Sequence, residues 1–179
     1  MRLFFALWPP PRAARRLYAW AEKAARETRG RVTRAETIHL TLAFLGEVDE
    51  EKLPLAIEAG RGAGGNAHSL PIEQARWWAH NRIVWVGPNE IPAPLAALAA
   101  ELKSNLVQAG FGMEERAFAA HVTLIRKANE PHALPPLPAL EWPVDEFVLV
   151  RSALSREGAS YEPIERFALT RGDARPGRR

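Results

Sequence analysis

The chain opens on a loosely alternating, aromatic-rich run, RLFFALW at 2–8, which predicts a strand closed by the prolines at 9–11. Behind those prolines Leu17, Trp20, Ala21 and Ala24 recur at helical spacing, predicting a helix that ends near Gly30. TIHLTLAFLG (37–46) reads as a second strand. The acidic start DEEK suits the first turn of a second helix, with Pro54 in its opening turns and glycines 60, 62, 64 and 65 closing it. LPIEQARWW (70–78) and RIVWVG (82–87) have strand composition around the break AHN, and predict a hairpin.

The clearest helix is 93–112, where Leu95, Leu98, Leu102 and Leu106 recur at three and four and Gly110 stops the run. AFAAHVTLIRKA follows as a strand. PHALPPLPALEWP, with five prolines between 131 and 143, is expected to be irregular. EFVLVRSAL (146–154) and YEPIERFAL (161–169) finish as two strands joined by SREGAS. The order βαβαββαβββ is an α+β pattern rather than a doubly wound one, and no strand leads into a glycine-rich phosphate loop.

Composition narrows the chemistry. The chain's 179 residues, 47% hydrophobic and 25% charged, suit one compact unit or two lobes sharing an interface. It has no cysteine, which excludes disulfides, thiolate nucleophiles and cysteine-held metals. No apolar run approaches the roughly 18 residues of a membrane span, and the apolar N-terminal run is too short for a secretory core. A cytoplasmic location without membrane attachment is expected.

The net charge of +3 matches that of RGDARPGRR (171–179) alone, so the body is neutral. Within the body, residues 1–36 carry nine basic against three acidic side chains. That segment is either a solvated helix face or a surface for a phosphate backbone, and charge alone does not choose.

A lone histidine on an apolar strand is ordinarily structural, but HLTLAF (39–44) has an echo in HVTLIR (121–126). Chance placement of five histidines and six threonines gives about 0.2 His-x-Thr pairs in a chain of this length, and two occur, each followed by leucine. Internal duplication of a strand-helix-strand lobe explains this economically. Strand alternation sends His39 and Thr41 to one face and Leu40 and Leu42 to the other, and likewise His121 and Thr123 against Val122 and Leu124.

Two lobes facing each other about a pseudo-twofold axis would thus bring two imidazoles and two hydroxyls into one cleft. In-line attack at phosphorus needs a base for the entering oxygen, an acid for the leaving one, and groups that hold the nonbridging oxygens. Histidine serves either role near neutrality, leaving Thr41 and Thr123 as phosphate grips. With no carboxylate inside either unit, a metal set is incomplete, so metal-independent chemistry without a cofactor is expected.

The paired His-x-Thr-Leu strands resemble the 2H phosphoesterase superfamily. More narrowly, RLFFAL, HLTLAFLGEV, RIVWVG with its leucine-rich helix and AGF, HVTLIRKA and the late loop into YEPI resemble the RNA 2′,3′-cyclic phosphodiesterases, formerly called 2′-5′ RNA ligases. The resemblance implies a single bilobal α+β domain over 1–170, with an antiparallel sheet and flanking helices in each lobe and the cleft between lobes. The residues 171–179 are expected to be a disordered basic tail.

By the same resemblance, a terminal 2′,3′-cyclic phosphate is hydrolysed to a 2′-phosphomonoester, His39 donating a proton to the 3′-oxygen and His121 activating water. The partners implied are RNA ends or nucleotides with a 2′,3′-cyclic phosphate; a monomer with no obligatory protein partner is expected. The chain departs from the pattern at Ala120, where relatives often carry proline. Arg126 matches a family arginine, but simple alternation puts it opposite His121; either a bulge re-aims it toward phosphate or it is structural.

Phe5 and Phe118 are candidates to stack on a base, whereas Trp77, Trp78 and Trp85 read as core. Tyr161 is either a capping or a ligand contact. His68, His80 and His132 fall in predicted loops and take no role. Two rival functions use the same residues: an enzyme acting on another cyclic phosphate or forming 2′-5′ linkages, and an RNA- or nucleotide-binding module without turnover.

Overall fold

The computed structural model describes residues 1–155 and 158–172. Most of the basic tail, 173–179, and part of the SREGAS loop, 156–157, lie outside the described residues. In chain order the elements are β1 (Arg2–Leu7), α1 (Pro11–Thr28), β2 (Arg31–Val32), β3 (Leu40–Glu47), α2 (Leu53–Gly62), β4 (His68–Ile72), β5 (Gln74–Trp78), β6 (Ile83–Gly87), α3 (Ala93–Gln108), β7 (Val122–Arg126), β8 (Leu140–Val144), β9 (Glu146–Ser155) and β10 (Gly158–Ala168). Single 3₁₀ turns at Ala35–Thr37 and Glu50–Lys52 precede β3 and α2.

The main sheet runs β10-β9-β1-β3-β7-β6-β5, with β2 also on β7, and every pairing is antiparallel. It consists of two four-stranded halves that meet at one residue pair, Leu40 opposite Val122. Those two residues hold the same place in the two His-x-Thr motifs. Antiparallel pairing of equivalent residues is by construction a local twofold, so the axis inferred from the repeat passes through this seam. The units β1-α1-β3 and β6-α3-β7 repeat around it, with α1 packed on β7 and α3 packed on β3. Each helix therefore covers the other unit's motif strand, which ties the lobes together.

The helices form where the apolar spacing requires. Pro11 sits at the start of α1, where its missing N–H costs nothing, and Leu17, Trp20, Ala21 and Ala24 are buried. The helix ends on Arg29 in the left-handed region, φ 53°, whose N–H bonds to the Ala25 carbonyl. Leu95, Leu98, Leu102 and Leu106 bury the inner face of α3. Leu3, Phe5 and Leu7 of β1 join Phe147 and Leu149 of β9 and Phe167 of β10 in the main core. On the opposite face, Phe4 and Ala6 form a small cluster with Val148 and Val150, flanked by Trp8 and Tyr161. No helix among the described residues is long and apolar enough to cross a membrane.

Three elements differ from the sequence expectation. The strand expected over 70–78 is two strands: β5 makes the predicted hairpin with β6, while β4 leaves to pair with β8 in a separate ribbon. β8 lies within the proline-rich segment expected to be irregular. There Leu140, Trp142 and Val144 alternate inward while Glu141 and Pro143 face out, and a two-stranded ribbon tolerates Pro143 opposite Ser69 because edge positions need not donate. β2, two residues long, is too short for any periodicity to announce.

Gly87, at the end of β6, has no room for a side chain: a Cβ there would overlap the Ala120 carbonyl, next to His121. Gly87→Ala is expected to cost about 2 kcal/mol, lowering the melting temperature by roughly 4–8 °C, and to reduce activity by displacing the second motif. Thermal unfolding and a turnover assay on the same preparation check both effects.

Candidate active site

His39 and His121 each stand one residue before their strand rather than within it, as the repeat alone suggested, and are held in the same way. Nδ1 of His39 lies 2.7 Å from the Thr37 carbonyl, and Nδ1 of His121 lies 2.9 Å from the Ala119 carbonyl, in both cases two residues back. A carbonyl only accepts, so each Nδ1 carries the hydrogen and each Nε2 is left with its lone pair. Ile38, Leu40 and Leu42, and Ala120, Val122 and Leu124, are buried on the other side. Thr41 and Thr123 are half-buried, and with the two histidines they line one cavity of about 360 Å³.

Arg126 lines that cavity too, because β7 bulges. Trp85 pairs with Thr123 and Val84 with Ile125, so Leu124 is the extra residue. The insertion turns Leu124 and Ile125 inward together and returns Arg126 to the histidine face. β3 bulges at the same place: Ala6 pairs with Thr41 and Phe5 with Ala43, skipping Leu42. Phe44 is thus the twofold counterpart of Arg126. It lies 42% exposed, with the Arg2 guanidinium 4.9 Å above its ring.

Phe44 faces a second cavity of about 490 Å³, which shares Thr41 and His121 with the first and adds Trp78, His80 and Phe118. Phe118, one of the two stacking candidates, thus lines a cavity next to the histidines. Phe5 lines neither cavity: it is fully buried beside Phe147 and Phe167, and its neighbour Phe4, also buried, packs on His39 instead. The first cavity also gains Arg31 and Arg34. Arg34 donates to the Ala159 carbonyl at 2.8 Å and lies 3.4 Å from Glu36, tying the β9–β10 end to the rim.

Aromatic rings enclose both imidazoles. His39 stacks on Trp8 at 5.0 Å and 16°, touches Phe4 at 5.0 Å, and meets Tyr161 edge-on at 5.3 Å. Burial pushes its pKa down to about 4, opposed by the bond to Thr37 and aided by the charges of Arg126 and His121. His121 packs on Trp78 at 4.8 Å and near Trp85 at 6.2 Å. Its pKa is lowered by burial, opposed by the bond to Ala119 and aided by Arg126. Both shifts favour the neutral imidazole near neutral pH.

Several of these neighbours were not legible from the sequence. Trp78 read as core but is half-buried against His121, whereas Trp85 is buried and Trp77 donates to the Ala128 carbonyl. Trp8, Phe4, Arg31 and Arg34 gave no signal; Tyr161, left open between two roles, is a wall of the site. For Arg126 a signal existed. Two successive aliphatics after each threonine, Leu42-Ala43 and Leu124-Ile125, break strict alternation where the bulges fall. His80 is exposed beside Trp78, His68 bonds to the Asn66 carbonyl, and the backbone N–H of His132 donates to Glu27. Among the described residues no three His, Asp or Glu side chains gather as a metal set.

The duplicated geometry has its counterpart in known proteins: the "LigT like Phosphoesterase" family model matches twice, over residues 7–85 and 86–161, once per half. The chain belongs to this family. As a LigT-like phosphoesterase it is 37% identical over 172 residues to the RNA 2′,3′-cyclic phosphodiesterase of Escherichia coli strain K12, covering 94% of this chain and 97% of that one. It is 35% identical to the RNA 2′,3′-cyclic phosphodiesterase of Thermus thermophilus, covering 94% and 90%. The crystal structure of E. coli LigT complexed with 3′-AMP superimposes with a TM-score of 0.87 at 37% identity, covering 94% of this chain and 98% of that one. This LigT-like chain thus shares the α+β architecture of that structure along nearly its whole length.

Proposed function

We propose that the chain hydrolyses the 2′,3′-cyclic phosphate of RNA ends or nucleotides to a 2′-phosphomonoester, using its two histidines without a metal. The carrying observation is the pair of free Nε2 atoms on one cavity with Thr41, Thr123 and the Arg126 guanidinium. Water attacks phosphorus and gives its proton to Nε2 of His121, while the P–O3′ bond breaks and the 3′-oxygen takes a proton from Nε2 of His39. The phosphate stays on the 2′-oxygen. Thr41, Thr123 and Arg126 hold the nonbridging oxygens.

Since the lowered pKa favours neutral His39, the proton it donates is taken up from solvent as the substrate anion binds. A phosphate anion set against Arg126 offsets the charge that opposes imidazolium formation. The nucleobase lies in the second cavity between Phe44, Trp78 and Phe118. Names and ligands of the relatives support this reading: two are RNA 2′,3′-cyclic phosphodiesterases, and the E. coli LigT structure holds 3′-AMP. On this reading the enzyme acts in the cytoplasm as a monomer.

Incubation with an oligoribonucleotide ending in a 2′,3′-cyclic phosphate, in the presence of EDTA, is expected to give full turnover and a 2′-phosphate end. A 3′-phosphate product would reverse the leaving oxygen, and abolition by EDTA would remove the two-histidine mechanism. Binding without turnover would make the chain a binding module.

A further inference from the structure

Beyond the first cavity lies a corner of unneutralised positive charge. Arg31 and Arg126 are direct cross-strand partners, an arrangement that like charges disfavour, and both line the cavity. Past them, Arg29, Arg82 and Lys127 are the non-glycine residues with positive φ among the described residues, at 53°, 53° and 55°. All three are basic, and all three meet at this corner. The Ala128 N–H donates to the Arg82 carbonyl at 2.9 Å, the Asn129 N–H to the Thr28 carbonyl at 2.8 Å, and Gly30 is wedged against Ile125 and Arg126.

Arg82 bonds to the Asn129 side chain at 2.7 Å and to the carbonyls of Lys127 and Ala128. Arg29, Arg31, Arg126 and Lys127 form no ion pair with any carboxylate among the described residues: of the nearest acids in sequence, exposed Glu27 accepts from the His132 N–H and Glu130 is exposed, and neither is within salt-bridge distance of the four. Left-handed φ costs a β-carbon residue energy that glycine avoids, and such strain gathers where function requires it. The corner is continuous with the cavity, because Asn81 and Ile83 on either side of Arg82 line the wall.

We infer that this corner is a track for the phosphodiester backbone of RNA on the 5′ side of the terminal nucleotide, with Arg29 and Lys127 each holding a phosphate. Ribose chemistry sets the direction. The base leaves the ring at C1′ and the chain leaves at C4′, on opposite sides of the ring oxygen. With the base in the Phe44–Trp78 cavity, the chain departs toward Arg31 and the corner. The track rests on the proposed function and adds that oligonucleotide ends are preferred to mononucleotides.

The test compares a nucleoside 2′,3′-cyclic monophosphate with a pentaribonucleotide ending in the same group. The double variant Arg29→Gly/Lys127→Gly removes both charges at positions where glycine relieves the backbone, so its melting temperature is expected to hold or rise. Its kcat/KM on the pentamer is expected to fall about tenfold at low salt, with the slope of log kcat/KM against log salt shallower by about 1.4 for two phosphates lost. The monophosphate is expected to change less than twofold, and Arg29→Lys/Lys127→Arg to keep the parent's values. Equal losses on both substrates, or no loss on the pentamer, would overturn the track. Absence of turnover on either substrate by the parent protein would instead overturn the catalytic reading beneath it.

Discussion

Replacing His39 or His121 with alanine is expected to lower kcat/KM on a cyclic-phosphate end by about 10²–10⁴-fold, the range of one general acid or base. Neither side chain holds the fold together. Each is half-buried and bonds only to a carbonyl two residues back, while Ile38, Leu40, Ala120 and Val122 anchor the backbone beneath. Melting temperatures should therefore stay near the parent's, and the double variant should lose little beyond the worse single one, because the pair acts as a unit. The two variants are separable by pH. The limb that rises with pH reports a base losing its proton, and the limb that falls reports an acid losing its proton. His121→Ala should erase the rising limb and His39→Ala the falling one; the opposite pattern would exchange the proposed roles.

Arg126→Ala is expected to cost about 10²-fold in kcat/KM, comparable to removing one donor from an oxyanion site, and to move the pH profile. Burial and the Arg126 charge push both histidines below 6.5, His39 to about 4. In the free enzyme the form with one proton on the pair is thus most populated in acid, and kcat/KM should fall roughly tenfold per pH unit above the alkaline limb. Deleting the guanidinium removes one depressing charge, so both limbs should move to higher pH. Arg126→Lys keeps the charge but loses the two-pronged grip; it should retain the limb positions with an intermediate loss of rate. Profiles of kcat/KM for the three proteins check this, and unmoved limbs in the alanine variant would place Arg126 away from the imidazoles.

The residues easiest to read from the sequence were those obeying one period. Leu95, Leu98, Leu102 and Leu106 announced α3, and the repeated His-x-Thr announced a common cleft, because helix and strand periods hold locally without knowledge of the partner. What strict alternation misjudged lies where the period breaks. Arg126 returns to the site through an inserted residue, and Trp78 ends a strand that the continuous run LPIEQARWW concealed; Phe5, by contrast, obeys the alternation with Leu3 and Leu7, and its inward face was the signal against a stacking role. β8 was hidden by its prolines, which a ribbon outside the main sheet can hold. Arg31, Arg34 and Trp8 come to the site from separate elements, and only tertiary packing brings them together.

The single-pair seam at Leu40 and Val122 has a consequence for orientation. A perfectly twofold pocket would accept a cyclic phosphate equally well in either of two poses, and each histidine would serve as donor half of the time. Covalent joining of the two halves released their sequences from that symmetry, and of the three motif positions at which they differ the sixth is the one where an apolar residue faces a charged one. A guanidinium on one side and an exposed benzyl ring on the other present an anion-seeking and a base-seeking wall at the two ends of one axis. The pocket thereby acquires a polarity, which on the proposed function is its way of telling the two ester oxygens of the substrate apart.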